Sequence, residues 1–278
     1  MLIVGLLFVL LAGPPQVPAR DALSSARIAY NDRRFDEAIA AATEAGKQPE
    51  LADTAAVVLA RAYLERYHAS DADHRNGDDL DRARTALKSI DVTKLTARDR
   101  VEYLVGLGES LFFEEPPRYA AAAEMFESAL GHADVAPPEA RDSLFEWWAE
   151  SLDREAQFVP EADRKPLYER ILARSEREIE HQPDSASAAY WLAAAAHGTE
   201  DLERAWGAAA AGWIRAGSLG TRGVTLRADL DRLMTNVILP ERARQLTPVG
   251  DAQSTLAMLR QQWDDLKKKW ERSPASGS

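Results

Sequence analysis

The chain has no cysteine. Disulfides, thiolate metal sites, a cysteine nucleophile and a lipid anchor on cysteine are therefore excluded. Basic charge is also short: 34 Lys and Arg stand against 45 Asp and Glu, a formal net charge of −11 over 278 residues. A protein that tracks nucleic-acid phosphates wants a basic face, so no nucleic-acid partner is expected. Beyond the amino terminus no run approaches the ~18 apolar residues of a membrane helix, and the mature chain is not expected to span a bilayer. Long β-branched runs and sustained period-two alternation are missing as well, which argues against sheet. What is there is 46% hydrophobic residues and 28% charged ones, enough apolar matter for a real core and against wholesale disorder.

The first nineteen residues read differently from the rest. Leu2 to Ala12 is an apolar run, followed by a breaker segment from Gly13 to Ala19, and the first charged side chain is Arg20. A short apolar stretch, then Val17 and Ala19 at the −3 and −1 positions of a cut, is the pattern of a secretory signal peptide. The amino-terminal region lacks the usual Lys or Arg. Export to a bacterial periplasm or beyond is the expectation, with residues 1–19 as the signal, 20–272 as the folded domain and 273–278 as a disordered tail. Retention as an uncleaved anchor stays open.

From Ala22 onward the chain reads as helix, interrupted at short and regular intervals. Breaks fall at Gly46 to Pro49, His68 to Asp79, Glu114 to Pro117, Ala136 to Pro138, Val159-Pro160, Gln182 to Asp184 and Gly217 to Gly223. A last helix is expected over about Ala252 to Arg272. Helices joined by short loops are antiparallel neighbours. Small and bulky residues recur in step. Ala26, Phe35, Ala38 and Ala45 mark one helix pair. Ala60 lies 34 residues after Ala26, with Tyr63 beyond it. Leu107, Gly108 and Leu111, then Tyr119, Ala122, Phe126, Ala129 and Leu130, mark another. Pro183, Tyr190, Trp191, Leu192 and Ala193 open a last one.

This spacing resembles the tetratricopeptide repeat (TPR) family. One unit fits Arg20 to Asp53, a second Asp53 to about Leu95 with an insertion, and the best Arg100 to Leu130. A degenerate fourth is marked by Trp148, Ala149 and Leu152, with its second helix near Leu167 to Glu180, and a fifth starts at Ala186. The resemblance implies an all-α fold: an α-α superhelical solenoid of helix-turn-helix repeats, here with a C-terminal capping helix. One helix pair cannot bury its own apolar stripe, so such units stabilise one another by stacking.

The resemblance also implies a function: a scaffold that binds a protein or peptide along the concave face lined by the first helix of each repeat. Carried onto this sequence, that face holds Leu23, Arg27 and Tyr30, then Val57, Arg61 and Leu64, then Val105, Glu109 and Phe112. Glu146, Glu150 and Asp153 follow, and Tyr190 and His197 end it. The charge changes sign along the series, so a partner segment is expected to carry acids opposite Arg27 and Arg61 and bases opposite Glu150 and Asp153. The family's clamp for chaperone tails wants Lys and Asn where this chain has Leu23, Arg27 and Val58, and is not expected. A second reading is a periplasmic solute-handling component similar to the T-component of tripartite transporters, with an apolar pocket near Trp191, Trp206 and Trp213. That family is typically lipid-anchored, and this chain lacks the cysteine.

Other constellations are weaker. The loop from Tyr67 to Asp79 holds two histidines and four carboxylates, but Arg75 and Arg82 stand where a calcium loop needs oxygen ligands. A solvated loop ending in a helix cap explains it. Gly217, Gly220 and Gly223 with Arg222 lack the strand and the Lys-Ser/Thr of a phosphate loop, and read as a flexible connection. No Gly-x-Ser-x-Gly is present, the histidines are isolated, and the abundant Asp and Glu sit at ion-pair spacing with Arg. No catalytic residue, cofactor or metal is expected. Leu256, Leu259, Trp263, Leu266 and Trp270 form an a/d stripe of about two heptads. It is expected to pack on the last repeat, with a dimer contact as the alternative.

Overall fold

A computed structural model of the chain describes residues 19–70, 75–132, 138–247 and 250–271. The expected signal peptide and the tail at 273–278 lie outside them, apart from Ala19. The fold is all-α, with no strand among the described residues. The chain divides into two compact units between Ser110 and Leu111.

The first unit contains α1 (Ala19–Asn31), α2 (Phe35–Ala45), α3 (Ala52–Ala69), α4 (Gly77–Lys88), a 3₁₀ turn (Val92–Lys94) and α5 (Ala97–Phe112), whose last turn carries the division. Alanines set the geometry of its first three helices. Ala22, Ala45 and Ala55 form one buried layer, Ala26, Ala42 and Val58 the next, and Ala29, Ala38 and Ala62 a third. Along α1 and α3 the numbers rise from layer to layer, and along α2 they fall. So α2 is antiparallel to both, and α1 lies beside α3. Side chains this small at every crossing let helix axes approach to the short end of the usual ~8–10 Å. The next layer is bulkier: Ala60, Ala86 and Leu87 are covered by Leu59, Ile90, Tyr103 and Leu107.

The second unit contains α6 (Tyr119–Leu130), α7 (Pro138–Phe158), α8 (Glu161–His181), α9 (Ala186–Gly198), α10 (Leu202–Ala216) and α11 (Gly220–Leu233). A π-helical stretch (Met234–Ile238) leads into α12 (Leu239–Leu246), and α13 (Ala252–Glu271) ends the described chain. Each helix packs on the next, and α7 also touches α9, as α9 touches α11. Connections of two or three residues between α7 and α8, α9 and α10, and α10 and α11 force antiparallel neighbours. Odd-numbered helices therefore run side by side. Pro240 near the start of α12 lacks an N–H and crowds the carbonyl four residues back, which the wider π turn accommodates.

The stripe of α13 packs as expected over its first four members, while Trp270 at its end is exposed. Leu259 and Trp263 are buried, with Leu256 and Leu266 beside them, in a core shared with Trp213, Leu230, Met234, Ile238 and Leu239. Trp206 and Trp213 both meet Trp263 edge to face, at 6.3 and 6.1 Å. The Trp263 indole N–H donates to Asp231 at 2.7 Å, and Lys267 reaches the same carboxylate. Trp213 is thus buried in this core, and Trp206 is partly buried against it.

The glycine-rich stretch differs from the expectation of a flexible connection. The connection is only residues 217–219, and α11 begins at Gly220. Gly223 is buried against the end of α10: a Cβ there would lie 1.9 Å from the Ala216 carbonyl oxygen. Glycine is required at 223 because backbone meets backbone, and that contact fixes how α11 leaves α10.

Candidate functional site

Four of the residues expected on the binding face converge in the first unit, as an internally paired network. Arg61, on α3, is buried at 8% exposure. Its guanidinium meets Glu65 at 3.3 Å, Glu102 at 3.2 Å and, most closely, Glu109 of α5. It also lies 5.9 Å from the centre of the Tyr30 ring, and the Tyr30 hydroxyl reaches Glu65 at 3.5 Å. Gly106, one turn before Glu109, leaves room for this: a Cβ there would sit 3.5 Å from Cδ of Arg61. Burial pushes the Glu109 carboxyl up to about 7, more than the adjacent Arg61 charge pulls it down. Burial likewise pushes the Tyr30 phenol up. Arg27 donates to Asp99 at 2.7 Å, and Thr54 and Thr96 donate to the same carboxylate. Leu64 is fully buried. The hollow beside this network is about 40 Å³, about the volume of one water. The cations expected to meet a partner's acids are matched by the protein's own carboxylates.

The second unit has an open groove of about 570 Å³. Its size falls within the ~300–1,000 Å³ of ligand sites. One wall is α7, where Glu146, Glu150, Asp153 and Gln157 recur at helical spacing. The opposite wall is α11, with Arg222, Leu226 and Asp229 on one face. Tyr190 and Trp191 of α9 form the floor between them, edge to face at 5.2 Å. The expected residues Glu150, Asp153 and Tyr190 are thus brought together.

The charges of the groove are unequally matched. Arg222 donates to Asp142 at 2.6 Å and to Glu146 at 2.8 Å, tying α11 to α7. Ser187 of α9 donates to the same two carboxylates, and Ser185 caps α9 by accepting from the Ala188 N–H at 3.1 Å. Arg154 pairs with Glu150 at 3.2 Å, and Asp229 with the exposed Arg232. Asp153 accepts from the Gln157 amide at 2.9 Å and has no ion-pair partner among the described residues. Burial raises the Asp153 carboxyl above its ordinary range. Burial, and then the charges of Asp229, Asp153 and Glu150, push the Tyr190 phenol up. A second hollow of about 350 Å³ shares Arg222 as its wall and is bounded by residues 182–186 and Leu219.

The remaining expected residues lie elsewhere. Phe112 packs edge to face against Tyr119 at 4.9 Å and Trp147 at 5.2 Å. His197 meets Glu241 of α12 at 2.8 Å, a contact that fastens α9 to α12. In the loop after α3, residues 71–74 are outside the described set. Of its described carboxylates, Asp79 is buried and paired with Arg66, while Asn76 caps α4 by accepting from the Asp78 N–H.

Sequence reasoning singles out Arg222 only as part of a rejected phosphate loop and misses Leu226 and Asp229, because the repeat register is not carried past Gly223 into α11. Extending the repeat register past α10 would have flagged them, since their spacing of four and three is that of a helix face. Compared with protein-family models and with curated proteins, the chain matches none.

Proposed function

We propose that this chain is an exported helical-repeat scaffold of the tetratricopeptide kind, which docks an extended protein or peptide segment in the groove across α7, α9 and α11. One observation carries the reading: α7, α9 and α11 line a single open groove with carboxylates, an aromatic pair and Arg222. An extended surface built from successive helices is what a repeat protein offers a partner. The aromatic pair on the floor adds the rigid contact area that interfaces favour. Trp213 is buried in the core and Trp206 packs against it, whereas Trp191 lines the groove. Export is supported by the apolar run at Leu2 to Ala12 and the small residues before Arg20.

A photo-crosslinking residue at Thr225, which lines the groove, tests this in the full chain exposed to its own envelope extract. The expected result is discrete adducts of protein mass, on a chain that begins at Arg20, and none with the same group at the exposed Arg177 of α8. Equal labelling from both positions, or no protein adduct from Thr225, would contradict the reading.

A further inference from the structure

We propose that the segment docked in this groove is basic, with a Lys or Arg side chain entering between Asp153 and Asp229 beside the Tyr190–Trp191 pair. The proposal rests on the docking reading above and adds the chemistry of the occupant.

The two cations in the groove are already engaged. Arg222 is held by Asp142 and Glu146, and Arg154 by Glu150. Neither is free to meet an acidic segment. Asp153, by contrast, is a partly buried carboxylate with no ion pair of its own among the described residues: it accepts from the Gln157 amide and feels the charge of Arg154 only through space, while Arg154 itself pairs with Glu150. A neutral occupant would bury it further with only an Arg154 already shared with Glu150 nearby, which costs free energy, and an acidic one would add repulsion. A guanidinium or ammonium supplies the missing charge. It also gains the faces of Tyr190 and Trp191, which attract a cation. The carboxylates of Asp229, Asp153 and Glu150 near the Tyr190 phenol bias the same place toward positive charge.

The occupant is a chain segment, not a lone amine. The groove crosses three helices, and beyond Arg222 the hollow bounded by residues 182–186 continues on the far side. Leu226 and Leu219, one on each side of Arg222, offer apolar contacts for residues flanking the cation. The expected motif is a Lys or Arg with apolar neighbours in extended conformation.

An unbiased displayed peptide library, selected on the full chain, is the test. Selected peptides are expected to be enriched in Lys and Arg over Asp and Glu. For a synthetic copy of one of them, the Asp153→Asn, Asp229→Asn double variant is expected to weaken binding by about tenfold to a hundredfold. Raising salt from low ionic strength to about 0.5 M should weaken it too. Leu226→Arg, which places a cation in the groove, should abolish it, with thermal unfolding of each variant checked alongside. Peptides of neutral or acidic composition that are lost on Leu226→Arg would overturn the basic-segment proposal and leave the docking reading standing. Peptides indifferent to Leu226→Arg, or no selected peptide at all, would overturn both.

Discussion

Replacing Arg61 by Met is expected to destabilise the protein by about 3–5 kcal/mol, the range for removing one partner of a buried ion pair. The side chain is nearly inaccessible, yet three carboxylates share its charge: Glu65, Glu102 and Glu109. Methionine fills much of the volume and keeps the contact with Gly106, so the packing loss is small. What is lost is the countercharge. Glu109 is itself buried, and on losing Arg61 it must either ionise unpaired or take up a proton. A second effect separates charge from volume. Adding Glu109→Gln to Arg61→Met should recover part of the loss, because one of the stranded carboxylates is removed. Urea unfolding at neutral pH measures both, and a loss under about 1 kcal/mol for the single variant would show that the network is not the hub its geometry describes.

Glu109 alone is expected to give the protein an inverted pH dependence. Its carboxyl stands at about 7 in the folded chain, above its ordinary value of 4.5, because burial disfavours the charged form. The folded state therefore binds more proton than the unfolded state between those two values. Its contribution is neutral below the lower value, and stability is lost as pH rises toward the higher one. Groups with the opposite sign act in the acid range: Glu178, buried but held by Arg141 and Arg174, and Asp231, held by Lys267 and Trp263, both lie below the usual carboxylate range. The Glu109→Gln variant isolates the buried group. Its stability relative to the unmodified protein should rise by on the order of 2–3 kcal/mol between pH 5 and pH 8. A difference that stays constant across that range would show that Glu109 is ionised throughout. Tyr30, Arg61, Glu65 and Glu102 face this carboxyl and remain unchanged in the variant.

Much of the fold was legible because alanine spacing carries it. Ala26, Ala38 and Ala45 fall in the three layers that join α1, α2 and α3, where small residues are a direct requirement of close helix approach. The stripe of α13 was equally legible, since Leu259 and Trp263 can only be satisfied by burial. The binding face was half legible. Helical spacing tells which side of a helix a residue occupies, not how far a neighbouring helix covers it. Glu150, Asp153 and Tyr190 open onto a groove, whereas Arg61 and Glu109, chosen by the same rule, close on each other across 48 residues of chain. That pairing is tertiary and leaves no mark in local pattern. Arg222 was hidden for another reason. Glycine at 223 signals a break when read locally, but its cause is the Ala216 carbonyl from the preceding helix.

Amide hydrogen exchange on the full chain, with and without a saturating library-selected peptide, tests most directly whether the α7–α9–α11 groove is the docking surface. Slower exchange is expected along α7 from Glu146 to Gln157, in the first half of α9 and along α11, with the rest of the chain unchanged. Protection confined to other helices, or none with the peptide bound, would contradict it.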